Sequence, residues 1–273
     1  MTLPAGLKCF DSTNLRLRVM SALIMVPFAL LAVYLGGMAF GALITCVVTL
    51  GLYEWLRLVA PQAKAQSVGM ACAFLIVMMT AGALFSVSFG AILGVILTVA
   101  LFLISRRAHD EQAWAMALGI PYMGGSGLAL LSLREIPDSG AAIVLYLLLT
   151  VWATDIGAFF AGRLIGGAKL APSISPSKTW SGLFGGMALA LVVGYAVASC
   201  LGAKHPAVVL LLSPLLAAVA QMGDLFESYF KRRANVKESG DLIPGHGGIL
   251  DRIDGLVFAG IFAALTSQLV NWW

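Results

Sequence analysis

The chain has 273 residues, of which 60% are hydrophobic and 11% charged, and its mean hydropathy is +0.95. Soluble domains carry about 25% charged residues, so a single water-facing globule is excluded and the bilayer must solvate much of this surface. The net charge of +4 comes from basic residues scattered between apolar segments, which argues against nucleic acid as a partner.

Lys8, Arg16 and Arg18 precede an apolar run from Val19 to Gly37. The run is long for a cleaved signal peptide and no A-x-A site follows it, so it is read as an uncleaved first helix. A spanning helix needs roughly 20 apolar residues. Candidate spans follow at about 19–37, 38–56, 67–85, 87–104, 113–133, 141–161, 183–201, 207–225 and 254–271. These define an all-α polytopic membrane protein with about nine transmembrane helices. The breaks between spans are short. The longest polar stretches are 162–182 and 226–253, and no linker separates independent domains. Residues 1–140 read as a transmembrane scaffold, and 141–273 as the part that carries the catalytic loops. "GIPYMGGSG" in the fifth span has no partner elsewhere, so it reads as a helix loosened for close packing rather than half of a transporter repeat. Cys9, Cys46, Cys72 and Cys200 have neither metal-site nor disulfide spacing.

With a cytoplasmic N-terminus and nine spans, every lysine and arginine except Arg134 and Lys204 falls on the cytoplasmic side. Both long polar loops then share the face where nucleotides are found.

Acidic residues at membrane depth carry the chemistry, because each costs a few kcal/mol unless it is paired or faces a wet cavity. Asp155 lies inside span 141–161, Asp224 and Glu227 end the eighth span, and Asp254 begins the ninth. Residues three apart share a helix face, so Asp224 can converge with Glu227, and Asp251 with Asp254. Carboxylates projecting from two neighbouring helix ends suit Mg²⁺, a hard cation usually held by one or two carboxylates and substrate phosphates.

The same loop supplies cations. Lys231, Arg232 and Lys237 precede the glycine-rich run and Arg252 lies within it, an alternation that points to a polyphosphate site. Arg233 reads as a topology or headgroup contact. Gly245, Gly247 and Gly248 would let backbone approach phosphate oxygens. In "SISPSKTWSGLFGG", Ser175, Ser177, Lys178 and Thr179 lead into the seventh helix, whose N-terminus offers free N–H groups to a second phosphate contact. This is not a Walker A loop, since Ser177 stands where glycine is required. His246 reads as a structural or hydrogen-bonding residue rather than a proton-transfer group.

The run "SYFKRRANVKESGDLIPGHGGILDRID" resembles the signature of the phosphatidate cytidylyltransferase (CDP-diacylglycerol synthase) family. Ser228, Lys231, Arg232, Lys237, Gly240, Pro244, His246, Gly247, Gly248, Asp251, Arg252 and Asp254 fall in register with it. "ISPSKTWSGLFGG" and "DIGAFFAGRLIG" are similar to further motifs of that family. Glu238 departs from its usual Asp and is given no metal. The resemblance implies Mg²⁺, alone or with a second cation, on Asp224, Asp251 and Asp254. Lys237, Arg252, Lys178 and Arg232 would add fixed positive charge. Ser175, Thr179, Ser228, Lys231, His246, Gly247 and Gly248 would make substrate or phosphate contacts. The implied reaction converts CTP and phosphatidate to CDP-diacylglycerol and pyrophosphate at the cytoplasmic face, and the compact N-terminus without a long hydrophilic extension leans towards a bacterial inner-membrane form. Homodimerisation is an expectation at the level of the family only. Two alternatives stay open. A CTP-dependent polyprenol or phytol kinase would lack the full His-Gly-Gly run, and a cation transporter would line a path through the bilayer with its acids. A CDP-alcohol phosphotransferase is excluded, because Asp254-Gly255 is not followed by its motif.

Overall fold

The computed structural model describes residues 12–108, 111–243, 245, 247–270, 272 and 273. Inside lipid the backbone must satisfy its own polar groups, and each expected span accordingly coincides with a helical segment. These are α1 (Ser12–Leu35), α2 (Gly37–Val59), α3 (Ala65–Leu84) and α4 (Val87–Arg107). The fifth is α5 (Ala113–Gly119) continued through a π-helical turn, Ile120–Gly124, into α6 (Gly125–Arg134). Then come α7 (Gly140–Leu164), α8 (Trp180–Cys200), α9 (Pro206–Arg233) and α10 (Leu250–Leu269). Among the described residues seven of these segments are long and apolar enough to cross a membrane. The other two are α1, whose apolar part is Leu23–Leu35, and α10, which opens on Asp251, Arg252 and Asp254. The protein is thus an all-α polytopic membrane protein.

The "GIPYMGGSG" break is the π-helical turn, placed where Pro121 withholds its N–H from the helical ladder. One short hairpin was not expected. In the polar stretch after α7, β1 (Lys169–Ala171) pairs antiparallel with β2 (Ser175–Thr179), Lys169 opposite Thr179 and Ala171 opposite Ser175.

Helix ends far apart in sequence meet at two faces. At one face Arg134 donates to the carbonyls of Val33 (2.7 Å) and Tyr34 (3.2 Å), closing the end of α1. There too the amide of His205, before α9, lies 3.4 Å from the Trp272 carbonyl, after α10. The other face gathers the end of α2, the hairpin, the end of α9 and the start of α10. We call this the site face.

Two packing features set the geometry of the site face. Helices α7 and α8 approach closely because small residues line their crossing. A Cβ on Gly157 would lie 2.6 Å from the Gly185 carbonyl oxygen. Below the site face an aromatic cluster joins four segments. Trp55 of α2, fully buried, lies 4.6 Å from Phe230 and 5.9 Å from Phe226 of α9 and 5.0 Å from Tyr122 of the π turn. Phe226 in turn lies 5.4 Å from Phe258 of α10. The Trp55 indole N–H is satisfied by the Ala115 carbonyl at 2.9 Å. The N-terminal half therefore supports α9 and α10 directly.

Candidate active site

The last turns of α9 carry Asp224, Glu227, Ser228 and Lys231 on one side of the helix, three or four residues apart. Lys178, at the end of β2, reaches across and places Nζ 2.6 Å from Asp224 Oδ2 and 2.9 Å from Gln221 Oε1. Asp224 Oδ1 accepts from the Ser228 hydroxyl at 3.2 Å, so Ser228 orients an acid rather than facing open space.

Lys231 is buried between two acids. Its Nζ lies 2.7 Å from Glu227 Oε2 and 2.7 Å from Asp251 Oδ1. The Glu227 side chain is 0% exposed and that of Asp251 only 6%, so neither acid could stay ionised there cheaply without this lysine. The second oxygen of Asp251 accepts from the amides of Ser239 (2.9 Å) and Gly248 (2.9 Å) and lies 3.0 Å from the Ser239 hydroxyl. One turn on, Asp254 Oδ1 accepts from the Gly255 amide at 2.7 Å and faces the charges of Asp224 and Glu227. The backbones of α9 and α10 come close at this level, where a Cβ on Gly223 would lie 2.5 Å from the Asp254 carbonyl oxygen.

A cavity of about 430 Å³ opens beside Lys178 and Asp224, between α7, β2, α8 and α9. Asp155, Arg163, Ser177 and Thr179 contribute polar groups to it, and Phe159 and Leu183 contribute apolar walls. Phe160, Leu164, Trp180 and Phe184, on the neighbouring stretches of α7 and α8, are all exposed.

The acids of α9 and α10 fit a hard cation by their chemistry. Glu227 Oε1 is fully buried and has no hydrogen-bond partner among the described residues, and Asp254 lies next to it. Asp224 and Glu227 each pair with one lysine, while Asp254 has no ion pair among the described residues. Carboxylates in excess of cations at two helix ends form a site that a cation with oxygen ligands would stabilise. As the side chains stand, no three His, Cys, Asp or Glu residues among the described residues converge on a single point.

Of the expected site residues, Asp224, Lys178, Ser228, Lys231, Asp251 and Asp254 are brought together. Lys237 and Arg252 are exposed on the same face. Arg232 donates to the carbonyls of Ile174 (3.1 Å) and Val236 (2.9 Å), tying the hairpin turn to the loop after α9. Thr179 caps α8 by accepting the Gly182 amide at 3.0 Å, and Ser175 is buried with its hydroxyl 3.4 Å from that of Ser177. Gly247 adopts φ +81° and pairs with Ile243. The amides of Gly248, Ile249 and Leu250 are all engaged by protein carboxylates. His246 lies outside the described residues.

Sequence reasoning missed Glu54, Gln221 and Ser239. Glu54 is an acid near the end of an apolar span, so the rule that singled out Asp155 and Asp224 would have found it. Gln221 and Ser239 carry no such signal.

Fold and site together define a polytopic membrane protein with paired lysines and carboxylates gathered at one membrane face. Comparison with known proteins gives its family: residues 16–270 match the model of the cytidylyltransferase family. A phosphatidate cytidylyltransferase of Brucella suis is 40% identical over 262 residues, covering 94% of this chain and 96% of that protein. The phosphatidate cytidylyltransferase of Pseudomonas aeruginosa is 36% identical, over 92% of this chain and 96% of its own length. That of Bacillus subtilis is 37% identical over 60% of this chain and 61% of its own. The chain belongs to the cytidylyltransferase family.

Proposed function

We infer that this chain transfers the cytidylyl group of CTP to phosphatidate, giving CDP-diacylglycerol and pyrophosphate. The observation that carries this reading is the Lys178–Asp224 pair on the wall of the α7–α8–α9 cavity, beside the acids of α10. Phosphoryl-type transfer between two polyanions is mainly a matter of positioning and charge neutralisation, and the site is built of groups that do both.

A phosphate oxygen of phosphatidate attacks the α-phosphorus of CTP in line, and the bond from that phosphorus to the bridging oxygen of pyrophosphate breaks. The lipid phosphate is already anionic near neutral pH, so no side chain need take a proton. Lys178 holds Asp224 in place while presenting positive charge to the cavity. Lys237 and Arg252, exposed to water, draw in the nucleotide. Phe159 and Leu183 give the cavity an apolar side towards lipid, which lets acyl chains remain in the bilayer. Asp224 and Asp254 would hold Mg²⁺, with Asp251 joining them in place of its contact to Lys231. A divalent cation there would neutralise the nucleotide phosphates and the leaving pyrophosphate. The site face is the cytoplasmic one, because alternate crossing leaves only Arg134 and Lys204 of the basic residues on the other side. In a bacterial cell this is the inner membrane.

The test is conversion of phosphatidate by purified protein in detergent, with labelled CTP and with or without Mg²⁺. CDP-diacylglycerol forms only with the metal, and Asp251→Asn lowers the rate by about 100-fold or more, the scale of losing a preorganised charge. A lipid phosphorylated by CTP, with no CDP-lipid, would replace this reading by a kinase.

A further inference from the structure

We propose that Glu54, on α2, is a positioning residue for the reaction: its carboxylate locks the glycine-rich loop and sets the angle at which α10 presents Asp251 and Asp254. Glu54 is 2% exposed. Its Oε1 accepts from the Ile249 amide at 3.1 Å and its Oε2 from the Leu250 amide at 2.7 Å, across 195 and 196 residues of sequence. These amides belong to the first turn of α10, so an acid from the N-terminal half caps a helix of the C-terminal half. The Ser239 hydroxyl lies 3.2 Å from Glu54 Oε2 and 3.0 Å from Asp251 Oδ2. Its single proton serves one carboxylate at a time and links the two.

Glu54 also explains two glycines of the signature. A Cβ on Gly240 would lie 2.6 Å from Glu54 Oε1, and one on Gly248 would lie 2.5 Å from Oε2. The carboxylate is wedged between the two backbones. Two amide hydrogen bonds and the shared Ser239 proton fix it there, so it cannot swing aside without releasing α10. Gly240 and Gly248 are thereby glycines that admit a protein carboxylate. Gly248 gives its amide to Asp251.

The chemistry read out here is the cytidylyl transfer inferred above. Steady-state kinetics and hydrogen–deuterium exchange are measured on full-length protein in detergent for wild type, Glu54→Gln, Gly240→Ala and Glu54→Ala/Gly240→Ala. Glu54→Gln is expected to lower kcat at least ~10-fold with KM for CTP and phosphatidate within about twofold, since misaimed groups slow the chemical step. Exchange over residues 239–252 rises about tenfold while α3, α4, α7 and α8 keep wild-type protection. Gly240→Ala reproduces both effects, and the double variant is no worse than Glu54→Gln because the clash has gone. Wild-type kcat and unchanged loop exchange in Glu54→Gln would overturn the proposal. So would exchange that rises equally in every helix, which marks Glu54 as a general support. If the wild type makes no CDP-lipid, the reaction assignment fails and loop exchange alone decides the role of Glu54.

Discussion

Lys231 is the residue on which the acids of the site depend most. It lies 2.7 Å from both Glu227 and Asp251, and all three side chains are nearly excluded from solvent. Removing one member of such a group leaves uncompensated charge in a poorly polarisable place. Lys231→Met is therefore expected to destabilise the protein by about 3–5 kcal/mol, read as a lower Tm in detergent. Adding Asp251→Asn recovers part of that loss, since one of the stranded charges has gone; a double variant whose loss equals the sum of the Lys231→Met and Asp251→Asn losses would show that the pair is not coupled. The sequence marked Asp224, Asp251 and Asp254 as a set, and their spacing on α9 and α10 does bring them to one region. It could not show that Asp251 spends both oxygens on Lys231, Ser239 and Gly248, because those donors are fixed by how the loop closes. Nor could it show that Ser175 and Thr179 serve the hairpin and the α8 cap. A hydroxyl beside a helix start reads the same whether its partner is a phosphate or the helix itself.

At the scale of elements, the helices were legible because the bilayer imposes a length and a polarity on each of them. The hairpin of β1 and β2 was not, since a polar, serine-rich stretch carries no alternation of apolar residues from which to read a strand. Helix α2 reads as scaffold, and near its end Glu54 and Trp55 hold the glycine-rich loop and the aromatic cluster. Trp55 is fully buried against Phe226, Phe230 and Tyr122. Trp55→Ala is expected to cost about 3–5 kcal/mol in thermal unfolding, the usual consequence of deleting a large buried ring. Phe226 and Phe230 lie on the same helix as Asp224 and Lys231, so the remaining activity should fall as well. An active variant of wild-type stability would mean that α9 does not lean on α2.

For the whole molecule, the consequential feature is that one face collects the hairpin, residues 234–243 and 247–249 and the ends of α2 and α9. A cysteine introduced at Lys237 is expected to react with an impermeant thiol reagent only after the inner membrane is opened. One introduced at Lys204 is expected to react in intact spheroplasts. The reverse pattern would invert the assigned orientation and move the site away from cytoplasmic CTP. The variants should be built without Cys9, Cys46, Cys72 and Cys200, the last three of which are free thiols in the structure.

The sequence by itself determined the solvent of this protein, the positions of its helices and the family to which it belongs. These follow from local composition and from a motif read along the chain, and neither needs a distant partner. Only the tertiary structure decided what each charged group faces. Glu54 meets Leu250 across 196 residues, and Lys178 meets Asp224 from a hairpin that no periodicity announced. Such pairings depend on which helix ends pack together, and their energies are large because the groups are withdrawn from water. For that reason Gly247 and Gly248, which look like part of a phosphate cradle in sequence, fold around the protein's own carboxylates.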